Sequence, residues 1–307
     1  MNRQGTSSAS SKFALIAMLA CMGPAMAQLP ALSPGGARPG DPPAAGAQLD
    51  SSGLPTENMD DSEAMRARLG ANFAAMLRPP LQADAPQPSP DPRNFEGTWY
   101  HEDSLVMYIA RDMFGIPLPF TPEGRKVVQR RVDSIKNGKP YLNASAYCIP
   151  TGQFWQLDLN MPFNVHQAKN LMELQFEEFH GIITIALDAA KAAPAGYMGS
   201  SVAHWDGDTL VVETSGFKEG MWLTTRGSSV SKDLKLTQRI RKVKTGNRWY
   251  LEMIYTIDDP TYYTQPWSYA RRYAWRPDMT LFREYNCEVQ TGAKDGVDAS
   301  LLPEPTN

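Results

Sequence analysis

Short strand-like runs rich in apolar residues recur over most of the chain from about residue 94 onward. Such runs occupy 141–147, 154–159, 171–176, 181–187, 234–243, 248–257, 268–275 and 280–287. A period of two is typical of a strand with one buried face, and short polar turn sequences separate the runs. Many short strands joined by tight turns predict a mainly β fold: a single antiparallel β-barrel of about eight to ten strands within residues 94–290.

The segment 201–217 (SVAHWDGDTLVVETSGF) contains the clearest hairpin signal. Asp206-Gly207 suits the two central positions of a type I′ turn, which both need a positive φ. This turn pairs Trp205 with Asp208 and His204 with Thr209. Because side chains alternate along a strand, His204 and Glu213 share the more polar face of the hairpin, and the opposite face is apolar.

Two helices interrupt or precede the strand pattern. Thr121-Pro122 has a capping residue followed by proline at the first helical position, which predicts an inserted helix from there to about Lys136. Residues 60–78 have acidic residues in their first turn and an apolar stripe at spacings of three and four, so we expect an N-terminal helix. The Pro-rich residues 79–93 are the predicted linker to the barrel.

The first 27 residues have the order of a secretory signal peptide. Basic residues precede the apolar run at 13–20, and Ala25-Met26-Ala27 forms an A-x-A cleavage site. The sequence predicts a periplasmic or secreted protein that begins at Gln28, with cleavage and lipid attachment at Cys21 as the weaker alternative. Residues 28–59 are rich in Pro, Gly and Ala, which predicts a disordered tether, and we expect 291–307 to be a disordered tail.

Charge and cysteine content narrow the range of partners. Without the first 27 residues, 28 basic side chains remain against 33 acidic ones, which argues against a nucleic-acid partner. No apolar stretch is long enough for a membrane-spanning helix. Cys148 and Cys287 predict a disulfide in an exported chain, and two buried free thiols are the alternative. Self-association as a homo-oligomer stays open.

Most signatures of catalysis and cofactor binding are missing from the sequence. There is no G-x-S-x-G, no H-E-x-x-H, no C-x-x-C, no dinucleotide glycine pattern and no P-loop. We therefore predict no cofactor and no metal. The four histidines are far apart along the chain, and a sheet that brought three of them together is the remaining route to a metal site.

Aromatic side chains are abundant on most of the predicted strands, and core filling explains most of them. A barrel of this size can also enclose a ligand cavity. We predict Trp155, Phe176, Tyr263 and Trp267 as its walls, and Arg226 as a partner for an acidic group, with a solvated arginine as the alternative. The predicted catalytic residues are His204 and Glu213 in the cavity lining and His180 at its mouth.

Several motifs resemble known families. Gly97-Thr98-Trp99 is similar to the G-x-W opening of lipocalins and their calycin relatives. A longer resemblance, over 97–288, is to a family of exported bacterial β-rich proteins: T-P-E-G at 121–124, W-x-G-D-T-L-V-V-x-T at 205–214, D-P-x-x-Y-T-x-P-W at 259–267, and Cys287 after Glu284. This chain departs from that family at Val230-Ser231 and Gln238-Arg239. The resemblance implies a lipocalin-like barrel and an exported protein, and it assigns no reaction.

Three hypotheses of function follow. The first is an exported, cofactor-independent acid–base enzyme of lyase, isomerase, cyclase or hydratase type that acts on a small apolar or aromatic molecule. The second is a non-catalytic binding or carrier protein for the same class of ligand. The third is an envelope protein whose aromatic residues contact a protein partner. A cavity with converging titratable groups would separate the first two hypotheses from the third.

Overall fold

The computed structural model describes residues 50–51, 54, 56, 58–60, 81–101, 106–136, 148, 150–159, 161–219, 221–224, 229–281 and 285–287. Two short strands, β1 (Met59–Asp60) and β3 (Val106–Tyr108), pair with each other outside the main sheet. The remaining described strands close into one nine-stranded barrel, which confirms the predicted fold class.

The barrel strands are β2 (Gly97–His101), β4 (Pro162–Ala168), β5 (Leu171–Phe176), β6 (Ile182–Ala186), β7 (Ser200–Asp206), β8 (Thr209–Ser215), β9 (Lys235–Thr245), β10 (Arg248–Asp258) and β11 (Trp267–Trp275). Around the barrel they follow the order β10-β11-β2-β4-β5-β6-β7-β8-β9, and β9 closes onto β10. Neighbouring strands are antiparallel, except that β6 and β7 make a short parallel pair at Ile185 and Ser201.

The alternation predicted from the sequence decides which side chains enter the barrel. In β10 the interior positions are Leu251, Met253, Tyr255 and Ile257, and all four are buried. They pair with Tyr273, Arg271, Tyr269 and Trp267 of β11, which are also buried. An arginine and three tyrosines in these positions make the interior more polar than a simple hydrophobic core.

The hairpin of β7 and β8 forms, with its turn one residue later than predicted. Asp206 pairs with Thr209 and Trp205 with Leu210, so the two turn residues are Gly207 and Asp208. Gly207 supplies the positive φ, at 58°. Moving the turn by one residue shifts the pairing between the strands by two residues. Because side chains alternate with a period of two, each side chain keeps its predicted face.

The inserted helix is confirmed as α1 (Pro122–Lys136). Thr121 accepts a hydrogen bond from the Gly124 N–H and donates one from its hydroxyl to the Thr261 carbonyl. A Cβ on Gly124 would lie 2.3 Å from the carbonyl oxygen of Tyr262. The T-P-E-G and D-P-x-x-Y-T-x-P-W segments therefore pack against each other, and Asp259 fixes the second one by accepting bonds from Ser231.

One predicted strand is wrong. Residues Gln153–Asp158 form a short helix, α2, and all six of its side chains are buried. A short apolar run that is buried on every side has no period that separates strand from helix. The predicted run at 141–147 lies outside the described residues, and residues 280–281 and 285–287 of the last predicted run are not in a strand.

The barrel has two ends, which we name after the groups that cover them. At the Lys242 end, the segment 81–95 crosses the barrel, and the Lys242 ammonium donates to the carbonyls of Ser89, Asp91 and Asn94 at 2.5–2.7 Å. The described part of the predicted linker is therefore packed against the barrel. At the α2 end, where β5 finishes and β11 begins, α2 lies against the interior.

The predicted N-terminal tether does not extend as far as expected. Leu54 is buried in a small cluster with Tyr108, Ala110 and Val128, because the apolar residue finds a site beneath α1. The predicted signal peptide, the N-terminal helix beyond Asp60 and the C-terminal tail lie outside the described residues.

Cys148 and Cys287 form the predicted disulfide, with their Cα atoms 5.7 Å apart, which is within the usual range for a bonded pair. No helix in the described part of the chain is long and apolar enough to cross a membrane.

Candidate functional site

The structure corrects the predicted positions of His204 and Glu213. Both side chains are exposed on the outer face of the β7–β8 hairpin, and Leu210 and Val212 of the opposite face are buried in the interior. The more polar face was expected to line a cavity, but a polar face on a barrel wall is equally suited to water. Neither residue can act on a molecule inside the barrel.

The other predicted site residues are divided between surface and interior. His180 is exposed at the end of the 3-10 turn Glu178–His180 between β5 and β6. The predicted wall residues Trp155, Phe176, Tyr263 and Trp267 are all buried. Arg226 lies outside the described residues.

The α2 end is organised around one helix. Gln153 of α2 donates to the Met198 carbonyl just before β7, and Gln156 donates to the Glu178 carbonyl between β5 and β6. Phe154 packs against Phe217 just after β8, at 5.7 Å between ring centroids. These contacts hold α2 across the end of the barrel.

The last residue of α2 forms a buried ion pair with the barrel wall. Asp158 Oδ1 accepts from Arg271 Nε at 2.6 Å and Oδ2 from Nη2 at 3.2 Å. Both side chains are buried. Burial lowers the pKa of Arg271, but the charge and hydrogen bonds of Asp158 outweigh it, and the net direction is upward. The guanidinium therefore stays charged, and the pair as a whole is neutral.

Three tyrosines surround this ion pair. The Tyr255 and Tyr273 hydroxyls are 2.8 Å apart, and Tyr255 stacks on Tyr269 with 4.6 Å between ring centroids. The Arg271 guanidinium lies 4.6 Å from the Tyr269 ring centroid. Burial raises the pKa of all three phenols. They are therefore protonated at neutral pH and act as hydrogen-bonding walls.

His101, the last residue of β2, completes the cluster. Its ring centroid is 5.4 Å from that of Tyr273, and the side chain is fully buried. Burial lowers the pKa of His101 to about 4, with a smaller raising effect from Asp158 and a lowering one from Arg271. The imidazole is therefore neutral at pH 7, with one ring nitrogen as donor and the other as acceptor.

Several buried polar atoms in this region have no hydrogen-bond partner in the described structure. They are both ring nitrogens of His101, the indole nitrogens of Trp155 and Trp267, and the side-chain carbonyl oxygens of Gln153 and Gln156. Buried polar groups in proteins are nearly always paired, because each unpaired one costs about 1–3 kcal/mol. These six atoms all lie at or next to the α2 end of the barrel.

A carboxyl group with an unusual pKa lies at the same end. Glu178 is buried, and its carboxylate oxygen is 3.3 Å from Gln156 Nε2 and 3.5 Å from Thr151 Oγ1. Burial raises the pKa of Glu178 to about 7, against a lowering effect of the Thr151 bond. The next two residues, Phe179 and His180, both have a positive φ, and strained backbone of this kind often occurs at functional sites.

Most of this cluster has no local signal in the sequence. Asp158 and Arg271 are 113 positions apart, and no local pattern joins them. His101 follows the G-x-W opening at the next interior position after Trp99, and this alternation could have marked it as inward-facing. Glu178 lies two residues before His180, which the sequence had predicted as a catalytic residue.

Among the described residues, no three His, Cys, Asp or Glu side chains converge as metal ligands.

Comparisons with known proteins identify no family. No family model matches the chain, and no curated protein matches it. Among solved structures, the chain is similar to a luciferase domain from the dinoflagellate Lingulodinium polyedrum, with 11% sequence identity and a TM-score of 0.31. The similarity covers 66% of this chain and about half, 49%, of that domain's chain.

Proposed function

We propose that the barrel binds a small, mainly apolar and planar molecule in its interior, with the polar atoms of the ligand toward α2. The barrel fold is compatible with such a role. The observation that carries the proposal is His101, a fully buried imidazole whose two ring nitrogens have no partner in the described structure. A donor and an acceptor placed together in an apolar interior suit a ligand that offers both.

The charges of the site favour an uncharged ligand. Arg271 and Asp158 already neutralise each other through two hydrogen bonds, so an anionic ligand would have to displace Asp158 and leave a buried carboxylate unpaired. Besides the two His101 nitrogens, the unpaired donors at this end of the described structure are the indole N–H groups of Trp155 and Trp267, and the unpaired acceptors are the side-chain oxygens of Gln153 and Gln156. A planar molecule with hydroxyl, carbonyl or amide groups matches these atoms, and the tyrosine rings provide stacking surfaces.

Native mass spectrometry tests this proposal, on protein purified without unfolding from cells that export it. We expect a small molecule at one copy per chain, released on denaturation. The His101→Phe variant, exposed to the same host extract, should lose it, and the matched variant His204→Phe on the outer face should keep it. A chain mass without any ligand, or equal retention by both variants, would contradict the proposal.

Acid–base catalysis on the bound molecule is the second candidate, and Glu178 is the observation that favours it. A carboxyl group with a pKa of about 7 can both donate and accept a proton at neutral pH. If the released ligand is turned over by the protein, Glu178→Gln should lower the rate by roughly 10²–10⁴-fold without loss of binding. Glu213→Gln is the matched surface control. An unchanged rate in Glu178→Gln would exclude this role.

Export from the cytoplasm is part of the same proposal. The Cys148–Cys287 disulfide is consistent with an oxidising compartment. N-terminal sequencing of exported protein should give Gln28, and a lipid-modified Cys21 would instead show membrane anchoring. Membership of the exported β-rich family, contact with a protein partner and self-association stay predictions.

A further inference from the structure

The loop between β3 and α1 projects two large apolar side chains into solvent. Phe114 is 70% exposed and Ile116 55% exposed, the highest values among the large hydrophobic residues that the structure describes. The loop is a tight hairpin in which Arg111 bridges to Pro117. We call residues 112–117 the apolar tip.

Every backbone N–H group of the apolar tip has a hydrogen-bond partner. The Asp112 side chain accepts from the N–H groups of Phe114 at 2.8 Å and Ile116 at 2.9 Å. The Asp112 N–H donates to the Ile116 carbonyl, and the Gly115 N–H donates to the Asp112 carbonyl. Arg111 Nη1 donates to the Gly115 carbonyl at 2.9 Å. A loop with paired amides can enter an apolar medium without the cost of unpaired donors.

The base of the apolar tip is fixed to the domain. The Met113 N–H donates to the Ser268 carbonyl of β11 at 2.8 Å. Asn58 Oδ1 accepts from the N–H groups of Ala110 and Arg111, both at 2.8 Å. The Phe114 and Ile116 side chains are therefore held away from the barrel surface and stay exposed to solvent.

The size and shape of the tip favour a lipid bilayer over a protein as the partner. Two side chains expose on the order of 200 Å² of apolar area, whereas a stable protein interface needs about 800 Å² from each partner. A narrow convex tip suits the boundary between lipid headgroups and acyl chains. In the alternative in which Cys21 carries a lipid, the chain from Cys21 to Asn58 at the base of the tip would hold the tip near the same membrane.

We propose that Phe114 and Ile116 insert into a lipid bilayer and hold this face of the protein against a membrane. The inference does not depend on the proposed ligand site. Insertion of one small apolar tip gives weak, reversible binding, since even a single fatty-acyl chain is a marginal anchor.

Flotation of the full chain, purified as its host exports it, with pure phosphatidylcholine vesicles tests the proposal. We expect the double variant Phe114→Ser/Ile116→Ser to lower the partition coefficient at least tenfold. The matched variant Met161→Ser/Ile182→Ser removes two other large apolar side chains, 38% and 45% exposed, and should leave it unchanged. All of these residues are on the surface, and an unchanged melting temperature checks that both variants fold.

Two results would overturn the proposal. One is the absence of flotation by the parent protein, or equal flotation of the parent and the tip variant. The other is a change of sedimentation coefficient in the tip variant without any change in flotation, which would assign the tip to a contact between proteins.

Discussion

Buried tryptophan and glutamine side chains are hydrogen-bonded at one end of the barrel and partly unpaired at the other. At the Lys242 end, the Trp275 indole donates to the Pro86 carbonyl at 2.7 Å and the Trp99 indole to the Phe95 carbonyl at 2.9 Å. Gln167 uses both ends of its amide, accepting from the Phe95 N–H and donating to a carbonyl. At the α2 end, the indoles of Trp155 and Trp267 have no partner in the described structure.

Most of the unpaired buried atoms in the described residues are therefore at the α2 end, although Gln129 Oε1 and Arg272 Nε are unpaired elsewhere. The segment 81–95 supplies backbone carbonyls wherever a buried donor at the Lys242 end needs one. At the other end, no described hydrogen bond joins the Trp155 or Trp267 indole to a carbonyl of α2. One end is closed by the protein itself, and the proposed ligand would complete the other.

The largest expected effect comes from breaking the ion pair that attaches α2 to the barrel. Arg271→Met leaves the buried Asp158 carboxylate without its partner, so we expect a loss of about 3–5 kcal/mol in the free energy of unfolding. Urea denaturation measures it. The exposed pair of Arg239 and Asp206 provides the control, and Arg239→Met should cost far less, because water screens an exposed pair. Similar losses in the two variants would show that α2 is not held by its ion pair.

Acid should destabilise the α2 end through His101. Its pKa is about 4 in the folded protein and about 6.5 in the unfolded chain, so the unfolded state binds the proton first. Stability is therefore full above about pH 6.5 and falls as the pH drops toward 4, by up to about 3 kcal/mol. Denaturation of His101→Phe over this range should lack that part of the pH dependence, and His204→Phe should retain it. An identical pH profile in the parent and His101→Phe would contradict the buried neutral imidazole.

A rise in pH should also destabilise the α2 end, through Glu178. Its pKa is about 7 when folded and about 4.5 when unfolded, so stability is full below about pH 4.5 and is lost as the pH rises through 7, by up to about 3 kcal/mol. Glu178→Gln keeps the hydrogen-bonding shape without the charge. We expect it to be more stable than the parent at pH 8 and equal to it at pH 4. The exposed control Glu213→Gln should show the same dependence of stability on pH as the parent. If Glu178→Gln also shows the same dependence as the parent, the raised pKa is ruled out.

The smallest effect compares the two ends directly. Trp275→Phe removes an indole that donates to Pro86, and Trp267→Phe removes one without a described partner. The change in volume is the same, so the ligand-free Trp275 variant should lose about 1 kcal/mol more stability than the Trp267 variant. Thermal denaturation of ligand-free protein measures the difference. Equal losses would mean that the Trp267 indole is also paired in solution.

The sequence predicts the barrel better than the site, and the reason is physical. Alternation fixes which side chains share a face, so the partners of the β7–β8 hairpin keep their faces although its turn is Gly207-Asp208. Alternation does not say which of two faces is inside when both are mixed. His204 and Glu213 were expected inside for that reason, and they lie outside.

Long-range contacts account for the rest of what was missed. The run 154–159 has the composition of a strand, but burial on all sides makes it the helix α2. The ion pair of Asp158 and Arg271 depends on where that helix docks. Strand β11 (WSYARRYAW) has two adjacent arginines. Because neighbouring side chains of a strand point to opposite faces, one of the two had to face the interior, and this was the signal available for Arg271.

A high-resolution crystal structure of the protein, purified from its exporting host without unfolding, tests the central claim most directly. We predict electron density for a planar non-protein molecule within hydrogen-bonding distance of a His101 ring nitrogen and of the Trp267 or Trp155 indole nitrogen. Density for ordered waters alone at these atoms, or side chains that pair with one another, would show that the protein completes the α2 end without a ligand.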